Sequence, residues 1–169
     1  VKPSENAGNL YHVIAGILEK TEEMTAFLNP SEDSYKRFGQ NKAPGFLSWS
    51  KENRSQLIRI PAAIGEYHRA ELRSPDPAAN PYLAFALMIY AGLYGLQNKP
   101  DMPEAADINL YKADAETQAK FRKLPEDLPS ARRIAAASQF IKTHVPGAIL
   151  DIYCNQPNPP QQTDGRTNS

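Results

Sequence analysis

A stretch of fifteen residues without a charged side chain, Tyr82 to Leu96, constrains the fold more than any other part of this sequence. Asp76-Pro77 and Asn80-Pro81 precede it, and a capping side chain followed by proline is typical of a helix start. A helix that crosses a membrane needs about 20 apolar residues. The stretch is shorter, so it predicts a helix from about Asn80 to Leu96 that is buried in the core and does not span a membrane.

The segment in front of this helix, RAELRS at residues 69–74, alternates charged and uncharged side chains. Alternation with a period of two predicts a β-strand in which Arg69, Glu71 and Arg73 share one face and Leu72 lies on the other. Spacing alone does not distinguish a charged face that contacts water from one that lines a binding cavity. By itself it favours a solvated face with cross-strand ion pairs, since charged residues are mostly exposed.

In the remainder of the sequence, the spacing of apolar residues and the positions of turn residues predict strands in the first half of the chain and most helices in the second. Apolar residues at helical spacing predict a helix over Asn9–Asn29, which Pro30 ends. The other predicted elements are strands at Phe46–Ser50 and Gln56–Pro61, a short polar helix at Ala113–Leu124, and one broken helix or two over Leu128–Ile152. This order predicts an α+β fold in which antiparallel strands pack on helices. Residues 1–156 are predicted to form one domain, and the polar, proline-rich residues 157–169 a disordered tail.

The charge balance and the cysteine content exclude several classes of protein. The 19 lysines and arginines equal the 19 aspartates and glutamates, so the basic excess that nucleic acid or an anionic membrane would require is missing. The single cysteine, Cys154, excludes an internal disulfide and suits a reducing compartment. The first nine residues are polar and do not resemble a secretory signal. We therefore expect a cytoplasmic protein without nucleic-acid or membrane partners.

The residues that could carry chemistry are mainly arginines. The sequence has no glycine-rich phosphate loop and no Gly-x-Ser-x-Gly, and its three histidines are scattered. Five arginines fall within a short span of the chain: Arg37, Arg54, Arg59, Arg69 and Arg73. Arginine binds phosphate and carboxylate in bidentate geometry. Several arginines around Glu71 would keep it ionised, as a metal ligand must be, and would suit an anionic substrate with a divalent cation.

The short sequence segments that contain these arginines resemble those of a known family. NPSEDSYKR, NRSQLIRIP, RAELRSPDPAANPYLAFAL and AGLYGLQNK are similar, in order and spacing, to consecutive blocks of the glutamine synthetase catalytic domain, over roughly residues 9–153. The resemblance implies the C-terminal part of that α+β domain. It also implies a full-length reaction in which ATP phosphorylates the γ-carboxylate of glutamate and ammonia then displaces phosphate. ATP, Mg²⁺ or Mn²⁺, and a large homo-oligomer belong to the same expectation.

The resemblance gives each charged residue an implied role at its matching position. Arg37 is expected to hold the glutamate substrate, Arg54 to contact the transferred phosphate, Arg59 to bind the ATP phosphates, Arg69 to lie near the nucleotide, Glu71 to ligate the metal, and Arg73 to bind the glutamate side chain as it is phosphorylated. Arg54 and Arg73 are therefore the candidate catalytic residues. The proposed reaction depends on positioning and charge neutralisation around a phosphoryl group, which requires no protein nucleophile.

Several positions depart from the family pattern. The family has a glutamate before Ala43-Pro44 that helps to deprotonate ammonium, and here the residue is Lys42, which would repel ammonium and cannot act as a carboxylate base. Tyr94 stands where the family often has aspartate. Tyr111 matches a tyrosine that is adenylylated in some bacterial members, but the residues after it differ, which favours a structural surface tyrosine.

Two alternatives to an ammonia ligase therefore stay open. One is a non-catalytic homologue, which Lys42 motivates, and the other is a ligase that joins a larger amine to the γ-carboxylate of glutamate. The family's other metal ligands would precede residue 1, so we expect the isolated 169-residue chain to be inactive.

Overall fold

The computed structural model describes residues 5–40, 43–62 and 69–155 of the chain. Within these ranges the helices are α1 (Glu5–Leu28), α2 (Glu32–Lys36), α3 (Pro81–Asn98), α4 (Ala115–Gln118), α5 (Leu128–Ala137), α6 (Gln139–His144) and α7 (Gly147–Cys154). The strands are β1 (Trp49–Lys51), β2 (Ile58–Ile60) and β3 (Glu71–Leu72). A small sheet and a larger group of helices therefore make up the fold, and the predicted α+β class is confirmed.

Helices α1 and α3 lie against each other in an antiparallel pair, with their backbones in close contact. A Cβ atom built on Gly95 would collide with the carbonyl oxygen of His12, and one built on Gly16 would lie 2.6 Å from the backbone nitrogen of Gly95. Gly92 faces the Val13 side chain in the same contact. Because glycine has no side chain, the two helices approach more closely than any other residue would permit at these positions.

The start of α3 is fixed by the predicted cap. Asn80 has an extended backbone, and its side-chain oxygen accepts hydrogen bonds from the backbone nitrogens of Tyr82 and Leu83 at 3.0 and 3.3 Å. Pro81 occupies the first helical position, where its missing N–H costs no hydrogen bond. The predicted proline-capped start of this helix is confirmed.

We expect Asn80→Ala to lower the free energy of unfolding by about 1 kcal/mol, because two backbone N–H groups lose their acceptor. Urea denaturation followed by circular dichroism measures the change. Asn80→Asp keeps the acceptor and serves as the matched control, with a change of less than about 0.5 kcal/mol. Equal destabilisation by both variants would show that the cap is not the cause.

The burial of α3 differs from the prediction. Small residues and one leucine face the rest of the protein: Ala84, Leu87, Ala91, Gly92 and Gly95. Three large apolar side chains lie on the outer side, with Tyr82 84%, Phe85 62% and Ile89 62% exposed. The predicted core helix therefore contributes only one face to the core, because close contact with α1 requires small residues and leaves the large ones outside. No helix in the described ranges is long and apolar enough to cross a membrane.

The sheet also differs in one respect from the predicted antiparallel arrangement. β2 and β3 pair antiparallel, but β1 and β2 pair parallel, with Trp49 opposite Ile58. Parallel strands usually need a long crossover connection. Here a strand of three residues is only about 10 Å long, so the six residues from 52 to 57 suffice to bring the chain back. The reversal begins at Glu52, which has a left-handed φ of 69°.

The second half of the chain contains more breaks than predicted. The short polar helix expected at Ala113–Leu124 is confined to Ala115–Gln118, because the chain then turns to pair with an earlier segment. Lys123 forms a bridge with Phe46, and the backbone nitrogen of Leu124 donates to the Gly45 carbonyl at 2.8 Å. The region predicted as one or two helices forms three, since Ser138 caps α6 and Pro146 precedes α7.

Two apolar clusters hold these elements together. One joins the C-terminal half of α1 to α3, α5, α6 and α7, with Phe27 fully buried at its centre. The other joins the N-terminal half of α1 to the sheet and contains Trp49, Leu57 and Ile58. The Trp49 side chain is buried, and its indole nitrogen donates to the Pro103 carbonyl at 2.6 Å.

Candidate functional site

The charged face of the sheet is set by strand register. Arg59 on β2 lies directly opposite Glu71 on β3, so both side chains project from the same face. Arg59 Nη1 donates to Glu71 Oε2 at 3.1 Å, and Arg59 Nε donates to the Glu52 carbonyl at 3.0 Å. The adjacent pair, Ile58 and Leu72, projects from the other face into the apolar core. The predicted separation of charged and apolar faces is therefore confirmed for these two strands.

A second guanidinium contacts the same carboxylate. Arg69 Nε lies 3.5 Å from Glu71 Oε1, so each carboxylate oxygen faces one arginine. Partial burial acts to raise the pKa of Glu71. The hydrogen bond and charge of Arg59 and the charge and hydrogen bond of Arg69 outweigh burial and hold that pKa below its ordinary value. Glu71 is therefore ionised at neutral pH and is surrounded by more positive charge than it neutralises.

The lowered pKa of Glu71 gives a testable pH dependence. A carboxyl group with a depressed pKa in the folded state stabilises the protein above its ordinary pKa of about 4.3 and loses that contribution as the pH falls through the folded value. We expect Arg59→Gln to raise the pKa of Glu71, as measured by an NMR titration of its side-chain carboxyl carbon. Arg54→Gln is the control and should leave the titration unchanged. An unshifted titration in Arg59→Gln would contradict the assigned cause.

Arg37 is held by residues outside the sheet. Its Nε forms a salt bridge with Asp76 Oδ2 at 3.0 Å, and its Nη2 donates to Asn29 Oδ1 at 3.3 Å and to the Ser74 carbonyl at 3.4 Å. Sequence reasoning did not identify Asp76 or Asn29 as partners of Arg37. The Asp-Pro and Asn-Pro signatures predicted only helix ends at these positions, and the contacts join distant parts of the chain.

Arg73 continues the charged face beyond β3. Its backbone nitrogen donates to the Leu57 carbonyl at 3.0 Å, which extends the pairing of these strands by one residue. Its Nη1 and the hydroxyl of Tyr111 are both shielded from water and have no hydrogen-bond partner in the described ranges. Burial raises the pKa of Tyr111, and the charge of Arg73 acts in the opposite direction. Tyr111 is half-buried as a residue, and its hydroxyl is shielded from water near Arg73.

The other residues singled out from the sequence are placed as follows. Arg54 is exposed and forms no ion pair within the described parts of the chain. Tyr94 joins α3 to α1, since its hydroxyl donates to Glu19 Oε1 at 2.6 Å. Lys42 lies outside the described residues, and so does the predicted tail at residues 157–169.

The described residues can supply only part of a metal site. They contain no group of three or more His, Cys, Asp or Glu side chains that could hold a metal ion. Glu71 fits as a single ligand, because it is ionised and partly exposed and each of its oxygens retains a lone pair beside its arginine. Mg²⁺ commonly binds one or two carboxylates and completes its shell with phosphate and water. The chemistry of the donor set is thus compatible with a cation shared with a bound phosphate group.

Taken together, the geometry favours a phosphate or carboxylate ligand. Arg59 and Arg69 share one carboxylate, and Arg73 follows on the same face with an unsatisfied donor. Arg37 lies beside the carbonyl of Ser74, the residue after Arg73. Each guanidinium carries five N–H donors, and the contacts described use only some of them. The remaining donors give this edge of the sheet the chemistry of an anion-binding surface.

Comparison with protein families gives a match over nearly the whole chain. Residues 2–158 match the family model described as glutamine synthetase, catalytic domain. Among curated proteins, the chain is 46% identical over 154 residues to a glutamine synthetase of Methanosarcina mazei, which covers 89% of this chain and 34% of the relative. It is 38% identical over 148 residues to a glutamine synthetase of Staphylococcus aureus strain MW2, covering 86% and 33%. The chain therefore spans about a third of the length of these relatives.

Solved structures give a consistent result. The fold is similar to a structure titled "GmaS/ADP complex-Conformation 1", with a TM-score of 0.76 and 28% identity over 90% of this chain and 36% of that chain. It is also similar to "Apo GmaS without ligand", with a TM-score of 0.73 and 30% identity over 90% and 34% of the two chains.

Proposed function

Because this chain belongs to the glutamine synthetase catalytic-domain family, we propose that it forms the arginine-rich wall of an active site that ligates ammonia to the γ-carboxylate of glutamate with ATP. The observation that carries this proposal is the pairing of Arg59 and Arg69 with one ionised carboxylate, Glu71, on a single face of the sheet. A solvated surface would not require two guanidinium groups around one carboxylate.

In this proposal, residues at different positions along the charged face bind different ligands. Arg59 and Arg69 bind the phosphates of ATP, and Glu71 would hold one side of an Mg²⁺ or Mn²⁺ ion. That ion would neutralise charge on the phosphate oxygens. Arg37 binds the glutamate substrate, oriented by Asp76 and Asn29.

Arg54 and Arg73 act on the group that is transferred. When the γ-carboxylate of glutamate attacks ATP, negative charge is shared between the carboxylate and the phosphoryl oxygens. Guanidinium groups held in fixed positions stabilise that distribution more than free water does, because they need no reorientation. Arg73 has the donor for this role in its unsatisfied Nη1 group, and exposed Arg54 is free to turn towards phosphate.

We further propose that the complete enzyme is a cytoplasmic homo-oligomer in which neighbouring subunits complete each site. The family resemblance is the basis for the oligomer, and the single cysteine suits the reducing compartment.

The proposal is tested by completing the chain. The N-terminal two-thirds of the Methanosarcina mazei relative is fused to residue 1, and ADP release is measured with glutamate and ammonia. We expect release that requires both substrates, and no measurable turnover by the 169-residue chain alone. Absence of ammonia-dependent release from a fusion that folds and binds ATP would refute the synthetase assignment, and activity of the isolated chain would refute the dependence on the added segment.

A second candidate is a ligase for a larger amine. The similarity to structures named GmaS supports this candidate. The same fusion separates the candidates, since ADP release that depends on a polyamine and not on ammonia identifies the larger-amine ligase. Restoration of ammonia-dependent activity only by Lys42→Glu identifies a degenerate homologue.

A further inference from the structure

Tyr111 ends a loop that is hydrogen-bonded to the segment leading into β2. The Ile108 carbonyl accepts from Ser55 Oγ at 3.2 Å and from Gln56 Nε2 at 2.7 Å. The Leu110 backbone nitrogen donates to Ser55 Oγ at 3.3 Å, and the Leu110 side chain is fully buried. The backbone just before Tyr111 is therefore fixed against the residues that precede β2.

Arg73 is held to the same segment. Its backbone nitrogen donates to the carbonyl of Leu57, which lies two residues after Ser55. Because Leu110 contacts Ser55 and Arg73 contacts Leu57, the backbones at Tyr111 and Arg73 are both anchored within residues 55–57. The charge of Arg73 also acts to lower the pKa of Tyr111, against the stronger effect of burial, which indicates that the two side chains are close.

The ends of these two side chains are chemically complementary. Arg73 Nη1 and the Tyr111 hydroxyl are both shielded from water and have no hydrogen-bond partner in the parts of the chain that the structure describes. A guanidinium nitrogen can only donate a hydrogen bond, and a phenol oxygen can accept one. Leaving both groups without water and without a partner is unfavourable, so a small side-chain adjustment that pairs them would be stabilising.

We propose that Tyr111 is a positioning residue for Arg73: its hydroxyl accepts a hydrogen bond from Nη1 and fixes the direction of the guanidinium group. This inference rests on the proposed ligase function, in which Arg73 binds the glutamate side chain as it is phosphorylated. Nη1 carries two N–H groups, so one can donate to Tyr111 while the other contacts the ligand. A guanidinium group held in one orientation stabilises developing charge without having to reorient. Tyr111 therefore acts through Arg73 and touches no reacting atom.

Rotation of the Arg73 guanidinium group about its Nε–Cζ bond tests this hydrogen bond in the 169-residue chain. The rate is measured by NMR exchange between the two Nη signals of Arg73, which are assigned by their loss in Arg73→Gln. We expect Tyr111→Phe to accelerate the rotation about 10- to 100-fold, because a hydrogen bond to a charged group is lost. Tyr94→Phe removes a hydroxyl that donates to Glu19 and is the matched control, with an unchanged rate. In the unaltered chain we expect a nuclear Overhauser effect between the Nη1 protons of Arg73 and the ring protons of Tyr111.

The fused, complete chain tests the positioning role. We expect Tyr111→Phe to lower kcat for ammonia-dependent ADP release about 10-fold and to change the KM for ATP by less than about twofold. In an Arg73→Gln background the same substitution should have no further effect on kcat, because Tyr111 acts through Arg73. A merely structural role of Tyr111 would instead lower kcat by the same factor in both backgrounds.

Three results would overturn the proposal: no Overhauser effect between the two side chains, unchanged rotation in Tyr111→Phe, or an equal loss of kcat in both backgrounds. The first result comes from the unaltered chain, so it decides the question even if Tyr111→Phe does not fold. Unchanged rotation would point to Gln56 Oε1, which is also shielded and without a partner in the described ranges. An inactive parent fusion would refute the ligase function, whereas the rotation rate in the 169-residue chain would still decide whether Tyr111 pairs with Arg73.

Discussion

Gly95→Ala is expected to lower the free energy of unfolding by about 3 kcal/mol or more, or to prevent folding. The added methyl group would overlap the backbone carbonyl of His12 on α1, and a backbone atom cannot move aside as a flexible side chain can. Relief requires separation of α1 and α3 along their length, which would open the core around Leu87 and Ala91. Urea denaturation followed by circular dichroism measures the effect.

Gly8→Ala is the matched control for this prediction. Gly8 lies on α1, and an added Cβ there would meet nothing within 4 Å. We expect it to stabilise the protein by about 0.5–1 kcal/mol, because alanine loses less conformational freedom than glycine in a helix. A change of less than about 0.5 kcal/mol in the free energy of unfolding of Gly95→Ala would contradict the close backbone contact between α1 and α3.

Arg73→Gln is expected to reduce ammonia-dependent ADP release by about 100- to 1000-fold in the fused, complete chain, because the variant lacks the donor that we propose stabilises developing charge. The effect should fall mainly on kcat, since Arg73 is proposed to act as the glutamate side chain is phosphorylated. Its shielded, unsatisfied Nη1 group is the structural basis for this expectation. The measurement is a steady-state assay with glutamate varied at saturating ATP.

Arg122→Gln provides the control, since Arg122 is largely exposed and pairs with Glu22 of α1 at 3.5 Å. It should retain nearly full activity. An Arg73→Gln enzyme with a kcat within about threefold of the parent would remove Arg73 from the proposed catalytic residues. Circular dichroism of both variants checks that the difference does not come from unfolding.

Sequence patterns correctly predicted those features that depend only on residues close together in the chain. Alternation at residues 69–74 correctly separated the face of Glu71 from that of Leu72, and the Asn80-Pro81 signature located the start of α3. The parallel pairing of β1 and β2 was not predictable in this way, because strand direction depends on a reversal at Glu52 that spacing does not reveal. Likewise, the short α4 follows from pairing between Lys123 and Phe46, which are distant in the chain.

In the candidate site, too, positions set by local alternation were predictable, and contacts between distant parts of the chain were not. Arg59 and Glu71 could be placed on one face because both lie on strands with regular alternation. The anchoring of Arg37 by Asp76 and Asn29 could not, because both partners stand next to proline and resemble ordinary helix ends. The buried hydroxyl of Tyr111 was missed because burial of an aromatic side chain in a loop depends on tertiary packing that periodicity does not describe.

The outward row of Tyr82, Phe85 and Ile89 on α3 governs how the isolated chain behaves in solution. The formal net charge is zero at pH 7, so electrostatic repulsion between molecules is minimal under the conditions in which most assays are run. We therefore expect contact between these exposed apolar side chains to favour self-association of the chain. A buffer at about pH 5, in which the three histidines become protonated, should raise the net charge and reduce this association.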